Sequence, residues 1–142
     1  MQIPRLGVRA LLVLLVGVGI MTLAVPAFAV RPDRGCTITG TPDADTLIGT
    51  RHADVICGLY GNDTLKARRG GDTLYSGQGD DKLRGGKGRD TFYAGRGDDR
   101  LNSVDGVSGN DIVNGRLGFD ICRVDEGDIV TGCEEVRIGR RT

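Results

Sequence analysis

Tryptophan is absent from this chain of 142 residues, and only six residues are aromatic. Neither sign of charge is in excess, since 19 Lys and Arg balance 19 Asp and Glu. A protein dedicated to binding nucleic acid usually carries a clear basic excess, so this balance argues against that class. The chain has a single His and no H-E-x-x-H or G-x-S-x-G motif, which argues against zinc-protease and serine-hydrolase activity.

Glutamate is scarce as well, because 16 of the 19 acidic residues are Asp. The chain also contains 24 Gly, a residue that costs conformational entropy inside helices. Gly and Asp together favour turns. This composition excludes a helical bundle and a large packed core. The four Cys are an even number, compatible with two disulfides or one metal site.

Only one long apolar run occurs, over residues 10–25, and it follows a short basic segment. A small-x-small sequence (27–29) comes next, an order typical of a secretory signal peptide, and we expect cleavage after Ala29. An uncleaved membrane anchor is the alternative, although the run of 16 residues is short for a span of about 20. We therefore expect a secreted protein with no membrane span once residues 1–29 are removed.

Cleavage would leave 113 residues with 17 basic side chains, 19 acidic side chains and 21 Gly. A chain this polar and rich in Gly is not held together by apolar burial alone. It is therefore either disordered or stabilised by something else.

An internal repeat distinguishes between these two options. Asp recurs every nine residues from Asp45 to Asp99 and, after three extra residues (103–105), again at Asp111 and Asp120. An apolar residue or Cys follows each of these nine Asp by two positions, and Gly precedes each of the last seven by two positions. Units such as GLYGNDTLK, SGQGDDKLR and GGKGRDTFY share this register.

The register resembles the RTX (hemolysin-type) calcium-binding nonapeptide G-G-x-G-x-D-x-U-x, in which U is a large aliphatic residue. The resemblance covers residues 40–123, between an N-terminal cap segment (30–39) and a C-terminal cap (124–142). It implies an all-β fold, namely a right-handed parallel β-roll of about nine nonapeptide units, and several Ca²⁺ ions as cofactors.

The spacing of the repeat agrees with that fold. G-x-G-x-D favours a turn, and the next three residues form a short strand whose apolar residue points inward. Two units make a coil of 18 residues, so units of the same parity stack about 4.8 Å apart. In one sheet we expect an inward row of Leu47, Leu65, Leu83 and Leu101. The facing row in the other sheet comprises Ile56, Leu74, Phe92 and Val113. A helix is excluded, because nine residues are about 2.5 helical turns and successive Asp would lie on opposite faces.

Stacking also brings the Asp of each unit close to the Asp two units later. Two such carboxylates repel each other unless one is protonated or a cation lies between them. Together with the carbonyls that Gly leaves accessible they form an all-oxygen site, which favours Ca²⁺ over Mg²⁺ or Zn²⁺. The predicted metal ligands are the side chains of Asp63, Asp72, Asp81, Asp90, Asp99, Asp111 and Asp120. The predicted carbonyl ligands lie near Gly61, Gly70, Gly77, Gly79, Gly86, Gly88, Gly95 and Gly97.

Departures from the repeat distinguish individual sites. Asp45 and Asp54 follow turns without the Gly, so the first two units are expected to form an N-terminal cap without metal. The pairs Asp90–Asp111 and Asp99–Asp120 span the insertion and are weaker candidates than the pairs before it. Positive charge that should weaken calcium affinity lies at Arg68, Arg69 and Arg116.

The four Cys bracket the repeats. In a β-roll with coils about 4.8 Å apart, Cys36 and Cys122 would be about 15–20 Å apart. The Cα atoms of a disulfide must lie within about 7 Å. We therefore predict the pairs Cys36–Cys57 and Cys122–Cys133, each bonding near one open end of the roll.

The outward strand positions differ between the two sheets. One displays Lys66, Lys82, Arg84 and Arg100, and the other displays Tyr75 and Tyr93, which should stack on adjacent strands. Cross-strand packing explains such a Tyr pair, and a partner face for a carbohydrate or cell-envelope ligand is the alternative. The sequence thus predicts a secreted calcium-ion-binding repeat protein, not an enzyme, whose β-roll folds on binding Ca²⁺. The alternative is an extracellular adhesin or cell-envelope interaction module in which calcium is only structural.

Overall fold

The computed structural model describes residues 35–139, and within that range all regular structure is β. The predicted signal peptide, its cleavage site and the first half of the predicted N-terminal cap segment lie outside the described residues. Within residues 35–139 no helix is long and apolar enough to cross a membrane.

Each strand is one short arm of a coil, because a Gly-rich turn follows within six residues. The strands are β1 (Ile38–Thr39), β2 (Thr46–Ile48), β3 (Val55–Tyr60), β4 (Thr64–Arg69), β5 (Thr73–Gln78), β6 (Lys82–Lys87), β7 (Thr91–Arg96), β8 (Arg100–Asn102), β9 (Ile112–Leu117), β10 (Ile121–Val124), β11 (Ile129–Thr131) and β12 (Glu135–Ile138).

The strands form two six-stranded sheets, one odd-numbered (β1-β3-β5-β7-β9-β11) and one even-numbered (β12-β10-β8-β6-β4-β2). All neighbouring strands are parallel. Before the insertion, paired residues are 18 positions apart, as in Leu65 with Leu83 and Leu74 with Phe92. The predicted parallel β-roll is confirmed.

A thin core lies between the sheets. The two predicted rows of apolar side chains face each other, and all of their members except the partly buried Leu47 are at most 2% exposed. The next inward position, nearer the turn, holds only small residues, among them Ala67, Ser76 and Ala94. The core therefore narrows toward the turns and leaves room there for the buried side chains of Asp.

The predicted count of about nine units is too low, since the structure has six coils of two strands each. β1 precedes the nine units, and β11 and β12 follow them inside the predicted C-terminal cap. Val130 pairs with Val113 and Val136 pairs with Cys122, so the tail extends both sheets. The spacing before these strands is shorter than in the repeat, which hides them from a nine-residue pattern.

Two disulfides bond the two ends of the roll. Cys36 is bonded to Cys57 and Cys122 to Cys133, with Cα–Cα distances of 6.0 and 6.1 Å. These are the pairs expected from the sequence. Each crosslink ties a terminal segment to a strand near an end of the sheets, where backbone groups lack a further strand to pair with.

Candidate metal centre

A row of Asp side chains runs along each turn edge of the roll. On the first edge, Oδ1 of Asp81 accepts a hydrogen bond from the backbone N–H of Asp63 at 2.7 Å, and Asp99 accepts one from Asp81 at 2.7 Å. The row continues past the insertion, since Asp120 accepts from the N–H of Asp99 at 2.9 Å. The second edge repeats this arrangement with Asp72, Asp90 and Asp111. The insertion therefore does not interrupt either row.

The other carboxylate oxygen, Oδ2, of these side chains has no hydrogen-bond partner. The atoms belong to Asp63, Asp72, Asp81, Asp90, Asp99, Asp111 and Asp120, all of which are at most 1% exposed. Leaving a buried polar group unpaired costs about 1–3 kcal/mol, and more when the group is charged. Buried polar atoms in native proteins are nearly always paired. Seven unpaired oxygens in two regular rows therefore call for a cation or a proton beside them.

Burial raises the pKa of all seven of these carboxyl groups. It raises the pKa of Asp72 and Asp81 to about 6, that of Asp111 to about 7 and that of Asp99 to about 8. The backbone N–H that each accepts lowers the pKa, and neighbouring carboxylates, such as Asp81 and Asp120 beside Asp99, raise it again. The fully ionised rows are thus unfavourable alone, and a cation between them would stabilise them.

The Gly turns supply further oxygens. Gly77 and Gly86 have φ values of 117° and 109°, and a Cβ on either would collide with the carbonyl oxygen of Leu59 or Arg68 in the turn 18 residues earlier. These carbonyls therefore point from one turn into the gap before the next turn of the same edge. A Cβ at Gly85 would collide with Oδ2 of Asp90, so the small residue at this position admits the carboxylate.

These oxygens fit Ca²⁺ better than other metals. Nowhere within residues 35–139 do three His, Cys, Asp or Glu side chains converge on one point. A site between two turns must therefore combine a few carboxylate oxygens with backbone carbonyls. Ca²⁺ takes six to eight such oxygen ligands in flexible geometry, whereas structural zinc sites use Cys and His.

The first two turns satisfy their Asp without metal. The backbone N–H and the hydroxyl of Thr41 both donate to Oδ2 of Asp45, at 2.6 and 2.9 Å. Thr50 makes the same two bonds to Asp54, at 2.7 and 2.8 Å, and its N–H lowers the pKa of that carboxyl group. The metal-free cap was expected from the missing Gly, but the role of Thr was not. The shared pattern T-x-x-A-D is the sequence signal for it.

Two acidic residues of the tail end the rows. Asp128 accepts a hydrogen bond from the backbone N–H of Asp111 at 3.3 Å, and Glu134 accepts one from Asp120 at 2.8 Å. They thus take the ladder position of a further unit on each edge. The sequence analysis missed both residues. Each is followed within two residues by Val on an inward-facing strand position, which resembles the D-x-U part of the repeat.

The two edges differ in the charge that flanks them. On the first edge the residues before the ladder Asp form a second row, in which Asp80 donates its backbone N–H to Asn62 and Asp98 donates to Asp80, both at 3.0 Å. The second edge instead carries Arg68, Arg69, Lys87 and Arg89. The sequence analysis missed the row of Asn62, Asp80 and Asp98, although its spacing of 18 residues is visible.

The predicted Tyr pair lies on the odd-numbered sheet. Tyr75 and Tyr93 stack with ring centroids 5.0 Å apart and ring planes 7° apart. The guanidinium of Arg116, on the strand beyond Tyr93, lies 5.2 Å from the centroid of that ring. The ring of Tyr93 thus has a protein group on each face, an arrangement that supports cross-strand packing.

Comparison with known families gives a match to the family described as RTX calcium-binding nonapeptide repeat (4 copies), over residues 37–65, 66–101 and 102–122. No curated protein and no solved structure matches the chain. The matched segments make up more than half of the chain and contain all seven Asp whose Oδ2 atoms are unpaired. The chain therefore belongs to the family of RTX calcium-binding nonapeptide repeat proteins.

Proposed function

We propose that this chain is a secreted calcium-binding protein whose β-roll is completed by Ca²⁺ held between stacked turns. The observation that carries the proposal is the set of seven buried Oδ2 atoms without a partner. Each lies in a row of Asp linked through the backbone, beside turns whose carbonyl oxygens face the same gap. A proton can neutralise such an oxygen in acid, whereas near neutral pH a divalent cation neutralises two carboxylates at once.

Five pairs of neighbouring turns would each hold one ion. The ligand pairs are Asp63–Asp81, Asp81–Asp99 and Asp99–Asp120 on the first edge, and Asp72–Asp90 and Asp90–Asp111 on the second. Carbonyl oxygens near Gly61, Gly70, Gly77, Gly79, Gly86, Gly88, Gly95 and Gly97 would complete the coordination. Bound calcium supplies charge neutralisation, so its effect is to stabilise the fold. Asp80 and Asp98 should favour calcium on the first edge, while Arg68 and Arg69 should disfavour it on the second.

Export from the cytosol is supported by the basic segment and apolar run at the N-terminus and by the two disulfides, which persist in oxidising compartments. Extracellular calcium modules bind with Kd of about 10⁻⁴–10⁻³ M. A chain with such affinity would remain loosely folded in a calcium-poor cytosol and fold after export. We propose binding and not catalysis as its role, since its one His, His52, is exposed in a turn.

Circular dichroism with stepwise addition of Ca²⁺ to the EDTA-treated protein, disulfides intact, tests this function. We expect the strand signal to be weak in EDTA and to rise with calcium, with half-folding at about 10⁻⁴–10⁻³ M. Mg²⁺ at the same concentrations is the control and should produce little strand signal, because it needs a tighter octahedral site. Calorimetry should count five ions. A full strand signal in EDTA, unchanged by calcium, would reject coupled folding and favour the module in which calcium is only structural.

A further inference from the structure

A groove of about 990 Å³ runs across the outer face of the even-numbered sheet beside the second turn edge. Its cationic lining, which we name the basic groove, consists of Lys66, Arg68, Arg69, Arg84, Lys87 and Arg123. All six side chains are exposed. The metal-binding function above uses none of these side chains, and Arg68 and Arg69 are unfavourable for it. The concentration of positive charge therefore needs another explanation.

The charges of the basic groove stand on regularly spaced strands. Lys66 pairs with Arg84, Arg84 pairs with Asn102, and Asn102 pairs with Arg123. These residues form one column of outward side chains, with a step of about 4.8 Å between neighbouring strands. The column is fixed by the ladder of backbone hydrogen bonds and does not depend on a flexible loop. It therefore offers a straight row of hydrogen-bond donors to an extended ligand.

Two acidic residues also line the groove, but their carboxylates are directed to the backbone. Asp125 accepts hydrogen bonds from the N–H groups of Asp105 and Gly106, at 2.9 and 2.7 Å. Asp105 accepts from the N–H groups of Val107 at 2.7 Å and Gly88 at 3.2 Å, and from the side-chain amide of Asn110 at 3.3 Å. Among residues 35–139 the one ion pair within 4.0 Å joins Arg137 to Glu135, outside this lining. The six cations thus remain available to a ligand.

We propose that the basic groove binds an extended acidic polysaccharide, a sugar chain with carboxylate or sulfate groups. Four of the six cations are Arg, whose planar guanidinium donates two parallel hydrogen bonds to an oxyanion. No aromatic side chain lines the groove, so it lacks the stacking platforms on which single-stranded nucleic acid is held. A membrane surface fits poorly, because the site is concave and its large apolar side chains are only Ile48 and Val104.

Calcium would strengthen this binding, and that part of the inference rests on the proposed function. The cations of the groove follow turns in which calcium would be held, so an ordered roll is needed to align them. Five bound Ca²⁺ ions would also change the formal net charge of residues 30–142 from −2 to +8. An anionic polymer would therefore meet a repulsive, loosely folded chain without calcium and an attractive, ordered one with it.

Two matched double variants on the same sheet test the site. R84Q/R123Q removes two charges of the basic groove, and K82Q/R100Q removes two charges from the neighbouring outward column, outside its lining. Binding of the full secreted chain to polygalacturonate, heparin and neutral dextran is measured by calorimetry in about 1 mM Ca²⁺, within the range of extracellular calcium modules. We expect R84Q/R123Q to weaken binding to the acidic polymers roughly tenfold or more, since charge-assisted bonds are lost. K82Q/R100Q should change it little, and dextran should not bind.

Every other outcome counts against the groove. An equal loss in both double variants would mean attraction by net charge alone, and no binding to either acidic polymer would reject the site. Tighter binding of single-stranded DNA or of vesicles rich in anionic lipid would assign the surface to another partner. Circular dichroism in calcium checks that each variant is folded. If calcium leaves the fold unchanged while binding still depends on Arg84 and Arg123, the proposed function fails and the groove stands.

Discussion

The first two turns of the roll and the turns that follow them place the same residue in the same row but satisfy it differently. In both groups an Asp accepts the backbone N–H of the preceding turn, or donates its own N–H to the next Asp, through Oδ1. In the first two turns Thr41 and Thr50 close the second oxygen with two hydrogen bonds each. In the later turns that oxygen is buried without a partner.

The difference divides one continuous fold into a part complete in itself and a part that needs an ion. A protein donor at Oδ2 removes the need for metal, and a Gly turn without such a donor creates it. The Thr-closed turns thus provide a first coil that forms without calcium. Later coils can then add to it one at a time as ions bind, as in other repeat proteins in which each unit contacts only its neighbours.

The largest effect that separates the two groups is expected from pH in the absence of calcium. The later Asp have a raised pKa, about 6 for Asp72 and Asp81, about 7 for Asp111 and about 8 for Asp99. A raised folded-state pKa gives stability that is fully present below the unfolded value of about 4 and is lost as pH rises through the folded value. In EDTA the strand signal should therefore be strongest near pH 4 and fall between about pH 5 and 8. Circular dichroism over this range measures it.

Asp54 provides the internal contrast, because Thr50 lowers the pKa of that carboxyl group and its contribution therefore has the opposite pH dependence. Adding calcium at pH 8 should restore the strand signal, since the ion replaces the protons. A metal-free roll that loses strand signal on acidification would contradict the assignment of the later carboxyl groups as the destabilising element.

The next largest effect is expected from removing one ladder charge. Asp99→Asn affects two of the proposed sites, and we expect it to raise the calcium concentration at half-folding roughly tenfold, because folding is coupled to binding. In EDTA it should not destabilise the fold, because an uncompensated buried charge is gone. Asp45→Asn is the matched control, and calorimetry should find its ion count unchanged. Equal loss of ions in both variants would mean that the Thr-closed turn also binds metal.

Breaking the Thr closure itself should have a smaller effect. Thr50→Val removes the hydroxyl donor at 2.8 Å from Oδ2 of Asp54 while keeping the backbone donor and the shape of the side chain. We expect the calcium-bound protein to lose about 1 kcal/mol of unfolding free energy, measured by urea, with no change in ion count. Thr73→Val on an outward strand position, where Val suits a strand, is the control and should cost little. A loss of bound calcium in Thr50→Val would remove the distinction between the two groups of turns.

The sequence sufficed for the central coils because the repeat carries its own register. The inward rows of Leu65 with Leu83 and Leu74 with Phe92 follow from the 18-residue period alone. The two ends could not be predicted so fully, because there the period breaks. Thr50 acts through a local hydrogen bond, and Asp128 takes its ladder position at a spacing of 17 residues. Such residues are recognised by where the backbone places them, which depends on coils that have already stacked.

The smallest expected effect lies where one of the later turns departs from Gly. Arg68 has a φ of 82° at the position that Gly77 and Gly86 occupy in other turns, and its side chain is exposed. Arg68→Gly relieves left-handed strain of about 1–2 kcal/mol and increases the entropy of the unfolded chain by about 0.5–1 kcal/mol. We expect a net gain of up to about 1 kcal/mol in the calcium-bound protein by urea unfolding.

Arg69→Gly, one residue later in β4, removes the same charge and separates backbone strain from electrostatics. Arg69 has no positive φ and pairs with Lys87 in the even-numbered sheet, so Gly there should lower stability by about 0.5–1 kcal/mol. Both variants remove one positive charge beside the sites of the second edge, and both should therefore lower the calcium concentration at half-folding relative to their own stability. If the two variants shift stability in the same direction, charge and not backbone conformation governs this turn, and the later turns then need Gly only where a Cβ would collide with the turn before, as at Gly86.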